Sequence, residues 1–183
     1  MNILSKGIRV ALATVMVAFA GHAQALPLGP GDADWEYNSE KNNSNLSGTT
    51  IAGIVGTDSI LELYYKANVD EGNEEGSFTS SYNTVFSGDP NNALITYVGG
   101  PSIVCPECYL IVKDGNQPQY LFNLADWDGM ESLDLQGFYP GNGAISNVAI
   151  WGKTGVSVPE PSALILMGLG LIGLGMARRR VAS

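Results

Sequence analysis

Apolar and polar positions alternate along the middle of this chain in short bursts, never in a long helical stripe. Residues 49–55, 60–67, 78–86, 93–98, 109–113, 120–123, 132–138 and 144–151 are rich in β-branched and aromatic side chains, and none sustains the 3.6-residue period of an amphipathic helix. Each run has the length of one strand. Between them stand clusters such as Gly56-Thr57-Asp58, Gly88-Asp89-Pro90, Gly99-Gly100-Pro101, Asp114-Gly115-Asn116, Asp128-Gly129 and Pro140-Gly141-Asn142-Gly143, whose residues tolerate or enforce the backbone reversals of turns. Eight strands at this spacing predict an all-β protein built as a single β-sandwich or jelly-roll domain. A closed barrel is the alternative, because spacing alone does not fix closure.

The pattern breaks at both ends. Lys6 and Arg9 precede an apolar stretch at 10–20, and Ala23-Gln24-Ala25 supplies a small-x-small cleavage site directly after it. That order predicts a signal peptide over residues 1–25, with the exported protein beginning at Leu26. The apolar stretch is shorter than the ~20 residues of a spanning helix. An exported domain over 26–155 follows, opening on a polar lead-in, and then a tail over 156–183. The stretch "GKTGVS" at 152–157 reads as a flexible linker between the two.

Charge narrows the function. Between the two ends the basic residues are Lys41, Lys66, Lys113 and Lys153, against all but one of the 18 acidic residues, a balance of 4 − 17 = −13. Such a surface repels phosphate backbones, so nucleic-acid binding lacks its usual source of affinity. The chain's one histidine, His22, lies inside the expected signal peptide. Without an imidazole, Ser-His-Asp and Cys-His catalysis and His-ligated metal sites are removed together. No cofactor is expected.

The tail "VPEPSALILMGLGLIGLGMARRR" at 158–180 holds 15 consecutive apolar residues or glycines from Ala163 to Ala177. As a helix these reach about 22 Å, short of a hydrocarbon core of ~30 Å. Such a helix inserts as a marginal anchor, with Arg178, Arg179 and Arg180 as the membrane stop on the cytoplasmic side. Gly168-Leu169-Gly170-Leu171-Ile172-Gly173 also has the glycine spacing of a dinucleotide loop, but no strand precedes it and no acidic ribose ligand has room to follow.

In its three ordered parts, Pro159-Glu160-Pro161, the Gly/Leu-rich helix and the Arg cluster, the tail resembles the PEP-CTERM sorting signal. The resemblance implies export across the inner membrane of a Gram-negative bacterium, transient retention there by the tail, and processing by an exosortase. It further implies delivery to the cell surface or the extracellular matrix, where such cargo is associated with exopolysaccharide and biofilm. A weaker resemblance covers "CYLIVKDGNQPQYLFNLADWDGMESLDLQGFYPGNGAISNVAIWG" at 108–152, which looks like a segment found upstream of the tail in one group of these proteins and implies no activity.

Candidate chemistry in the domain is sparse. Cys105-Pro106-Glu107-Cys108 is the lone thiol pair, and an oxidising compartment favours a structural disulfide; free thiols, a metal pair or a redox Cys-x-x-Cys are the alternatives. "DWDGMESLD" gathers Asp126, Asp128 and Glu131, whose oxygens suit calcium, although the spacing fits no EF-hand loop and an acidic turn explains the same residues. Carboxylate pairs of the glycosidase kind occur in any acidic protein. Asn42-Asn43-Ser44 and Asn45-Leu46-Ser47 are glycosylation sequons.

These features favour a non-enzymatic, structural or adhesive surface protein. The competing readings are a carbohydrate-binding module, with Trp127, Tyr139 or Trp151 exposed to stack on sugars, and, less favoured, a secreted glycoside hydrolase.

Overall fold

The computed structural model describes residues 25–38, 44–69, 74–141 and 143–153. In chain order they form β1 (Ala25–Leu28), a 3-10 turn (Pro30–Asp32), β2 (Trp35–Tyr37), α1 (Gly48–Val55), β3 (Leu61–Asn68), β4 (Glu74–Glu75), β5 (Tyr82–Ser87), β6 (Asn92–Tyr97), β7 (Cys108–Lys113), β8 (Gln119–Asn123), β9 (Ser132–Leu135) and β10 (Asn147–Lys153). The strands assemble into a four-stranded sheet, β1-β9-β6-β5, and a six-stranded sheet, β2-β8-β7-β10-β3-β4. Neighbours run antiparallel except β1 and β9, which are parallel.

Alternation along each strand decides what it buries. Ile95 of β6 and Leu133 and Leu135 of β9 meet Leu110 and Val112 of β7, Phe122 of β8 and Val148 and Ile150 of β10, so the two sheets share one apolar core. The outer face of the six-stranded sheet carries a second cluster, in which Leu61, Tyr109, Ile111 and Leu121 pack beneath Ile51 of α1, with Trp35 and Trp151 at its margin. Because both of its faces are covered, β7 is buried at every position, and this explains why "CYLIVK" reads as an almost unbroken apolar run. Mostly β architecture in two sheets therefore matches the expected fold class.

Residues 49–55 depart from the expectation: they form the C-terminal seven residues of α1, not a strand. The Ser47 hydroxyl accepts from the Thr50 amide at 3.2 Å and caps the first turn, while Gly56, in the left-handed region at φ 78°, ends the last. Ile51, Ile54 and Val55 share the face turned to the sheet, so packing overrides the strand preference of β-branched side chains. The polar lead-in also holds β1 and β2, which the alternation did not reveal. Of the expected signal peptide only Ala25 is described, as the first residue of β1; residues 1–24, and the tail with its expected helix and Arg178, Arg179 and Arg180, lie outside the described residues. Among the described residues no helix is long and apolar enough to cross a membrane.

Candidate functional site

The pole from which the tail departs is fastened from several directions. At the end of β10, Gly152 lies under the Tyr64 ring so closely that a Cβ would meet its Cε2 at 2.1 Å. One residue on, the Lys153 carbonyl accepts from the Tyr64 hydroxyl at 2.6 Å, its amide donates to the Glu107 carbonyl at 3.0 Å, and its ammonium stands 3.7 Å from the Glu107 carboxylate. That carboxylate also accepts from the Thr57 hydroxyl and, at 2.7 Å, from the Ser59 hydroxyl. Hydrogen bonds from Thr57 and then Ser59, aided by Lys153, hold Glu107 below the usual carboxylate range. Cys105 and Cys108 form a disulfide that brackets Glu107, both cysteines being buried against the core. The bridge stiffens the short turn that presents this carboxylate.

Several of the other sequence candidates are used by the fold. Asp128 accepts the amides of Met130 and Glu131 at 2.8 and 2.7 Å, and Trp127 donates its indole N–H to the Glu131 carbonyl at 2.8 Å. The segment is thus a self-capped turn, and Asp126, Asp128 and Glu131 do not converge: among the described residues no group of three or more His, Cys, Asp or Glu side chains is placed to hold a metal ion. Trp127 and Tyr139, each 6 % exposed, are not available to stack on a sugar. Tyr139 sits at φ 53° with its hydroxyl 2.9 Å from the Pro118 carbonyl and 3.0 Å from that of Val112. Trp151 is half-buried beside α1. In the second sequon Asn45 accepts from the Asn147 amide at 3.1 Å and Ser47 caps α1, so both have structural duties; Asn42 and Asn43 lie outside the described residues.

One group of residues was not singled out from the sequence. Beyond the edge of α1, the outer face of the six-stranded sheet holds a recess of about 240 Å³. Register builds it: Lys113 lies opposite Asn147, and Ala149 opposite both Ile111 and Lys66, so the small Ala149 side chain forms a dip between larger neighbours. Asn45 and Trp151 stand at its wall. Lys66 is paired with Glu75 at 3.0 Å. The available signal was the charged end of "CYLIVK", two residues beyond Ile111 and therefore on the same face.

The tail itself is identified by comparison. Residues 157–180 match the family model of the PEP-CTERM protein-sorting motif. The match spans Pro159, Glu160, Pro161 and the Arg cluster, and it follows the last strand with only residues 154–156 between them. The tail is thus the sorting signal of an exported protein that passes through the membrane, a signal processed in general by an exosortase. No curated protein and no solved structure matches the chain.

Proposed function

We propose that this chain is a structural or adhesive component of the cell surface or extracellular matrix, associated with exopolysaccharide and delivered there after an exosortase has acted on its tail. The observation that carries the reading is the sorting motif at 157–180, set almost directly after β10, so that a small β domain is the cargo. A non-enzymatic role is supported by composition: past the expected signal peptide the chain has no histidine, and of the candidate carboxylates Asp126, Asp128 and Glu131, Asp128 is engaged in a turn. Transient membrane retention is supported by an apolar stretch that, as a helix, would be of marginal spanning length, followed by Arg178, Arg179 and Arg180.

Fractionation of producing cells tests it. The wild-type chain should lose its tail and be recovered with the surface or matrix fraction, whereas replacing Pro159, Glu160 and Pro161 together by Ala should leave full-length protein in the inner membrane. A triple variant trimmed at the normal rate, or a trimmed wild type that washes freely into the medium, would contradict the proposal.

A further inference from the structure

Lys66, Lys113 and Lys153 are the basic side chains among the described residues, and two of the three line the recess beside α1. In a domain so rich in carboxylates that placement asks for a reason. Lys66 has its counter-charge in Glu75 at 3.0 Å. Lys113 is different: only 5 % exposed, it makes one long contact, 3.4 Å, from its ammonium to the Ser146 hydroxyl, and no carboxylate among the described residues lies within ion-pair distance. Asp114, the nearest acidic neighbour in sequence, is spent on the amides of Asn116, Gln117 and Ala144 at 2.6, 3.0 and 2.7 Å.

An ammonium has three donors, and burying it without a full set of acceptors is costly unless something else completes the site. Burial pulls the Lys113 pKa down, the charge of Asp114 opposes that, and the like charge of Lys66 adds to it. An anion entering the recess would compensate the desolvated charge and offset the like-charge repulsion together. The lining also includes Gln119 and Glu75, whose charge is taken up by Lys66, and other parts of it suit the rest of such a ligand. Asn45 and Asn147, joined by a 3.1 Å hydrogen bond, present amide groups suited to hydroxyls, and Ala149 with Trp151 gives an apolar surface for the C–H face of a ring. At about 240 Å³ the recess is smaller than the ~300–1,000 Å³ of drug-sized sites and matches one sugar ring.

We infer that this recess binds a single carboxylate-bearing sugar ring, a uronate, with Lys113 receiving the carboxylate and Asn45 and Asn147 the hydroxyls. The site goes beyond the matrix reading: a free monosaccharide tests it without any processing of the tail, so either can fail alone.

Binding of glucuronate, glucose and acetate to the full chain in detergent micelles, followed by calorimetry or ligand-observed NMR, decides the matter. Glucuronate should bind, with glucose and acetate each weaker by roughly tenfold or more. Lys113→Met removes the charge while keeping the length, and Ala149→Leu fills the dip while keeping the charge; each should abolish binding, and Lys153→Met, outside the recess, should not. Lys113→Met should also raise the melting temperature, since it removes a buried ammonium, and that marks its loss of binding as something other than misfolding. A uronate trisaccharide that binds at least as well as the monomer would assign the recess to chain ends, and one that binds worse to the free sugar. Equal binding of glucose or acetate, or glucuronate binding that survives both recess variants, would overturn the proposal.

Discussion

The six-stranded sheet is covered in two different ways, and the difference explains where this domain has room for chemistry. Its inner face meets a second sheet along its length, so Leu110, Val112, Phe122, Val148 and Ile150 are all fully or almost fully buried and no charge interrupts them. Its outer face meets one helix of eight residues. At ~1.5 Å per residue that helix is about 12 Å long, whereas six strands at ~4.8 Å spacing span roughly 25 Å. Among the described residues the helix therefore covers part of the face and leaves a recess in the rest. Ile111 and Leu121 lie under it, and Lys113, Asn147 and Lys66 lie beyond it on the same pleat. One face is a core; the other is half core and half recess.

The sharpest way to break this comparison is to remove one large side chain from each face. Phe122→Ala should destabilise by about 3–5 kcal/mol, because sheets clamped on both sides cannot close over the void. Ile51→Ala should cost about 2 kcal/mol, the low end for such truncations, because a short surface helix can settle toward the sheet. Urea unfolding of the full chain in detergent reads both. Equal losses, or a larger one at Ile51, would mean that the helix is as tightly held as the second sheet.

How much of this was legible in the sequence depended on whether the signal was local. The sorting tail was readable because its parts are adjacent in the chain and act through composition. Strands β3, β5, β6, β7, β8, β9 and β10 were readable because β-branched and aromatic runs stop at glycine-rich turns. Strand β1 was hidden: Pro27 interrupts so short a stretch, and its partner β9 lies at the far end of the domain. The helix was hidden for another reason. Thr49, Thr50, Ile51, Ile54 and Val55 favour strands on their own, and only Ser47, Gly56 and the 51/54/55 spacing argued otherwise. The recess was least legible of all, since it needs the register of β3, β7 and β10 together.

A smaller effect sharpens the outer half of the comparison. The Ser47 hydroxyl is the one side-chain cap on the α1 N-terminus, so Ser47→Ala should cost about 1 kcal/mol. It should fray the cover without touching the inner core, raising amide exchange in α1 while leaving exchange in β6 and β9 unchanged. If β6 and β9 exchange faster as well, the two faces are not independent.

The smallest effect belongs to the pole where the tail begins, and there pH is the instrument. Glu107 is held below its ordinary pKa of 4.5 by Thr57, then Ser59, with help from Lys153. A carboxylate whose pKa is depressed by folding adds stability at pH values above its unfolded pKa, and that stability is lost as the pH falls through the folded value. The clamp should therefore be intact at neutral pH and released in acid below the ordinary carboxylate range. Because the Glu107 side chain is 21 % exposed and its partner Lys153 51 %, solvent screens the pair and the gain stays under about 1 kcal/mol. Glu107→Gln keeps one acceptor oxygen where the carboxylate offered separate oxygens to Thr57 and Ser59, puts an NH2 donor in place of the other, and drops the charge that faces Lys153. At about pH 6 the variant should be slightly less stable than wild type, and the gap should close as the pH falls below the ordinary carboxylate range and through the folded value. The exchange rate of the Lys153 amide, which donates to the Glu107 carbonyl, gives the local readout. A variant that equals wild type at both pH values would show that the disulfide and the Tyr64 hydroxyl hold the end of β10 without the carboxylate.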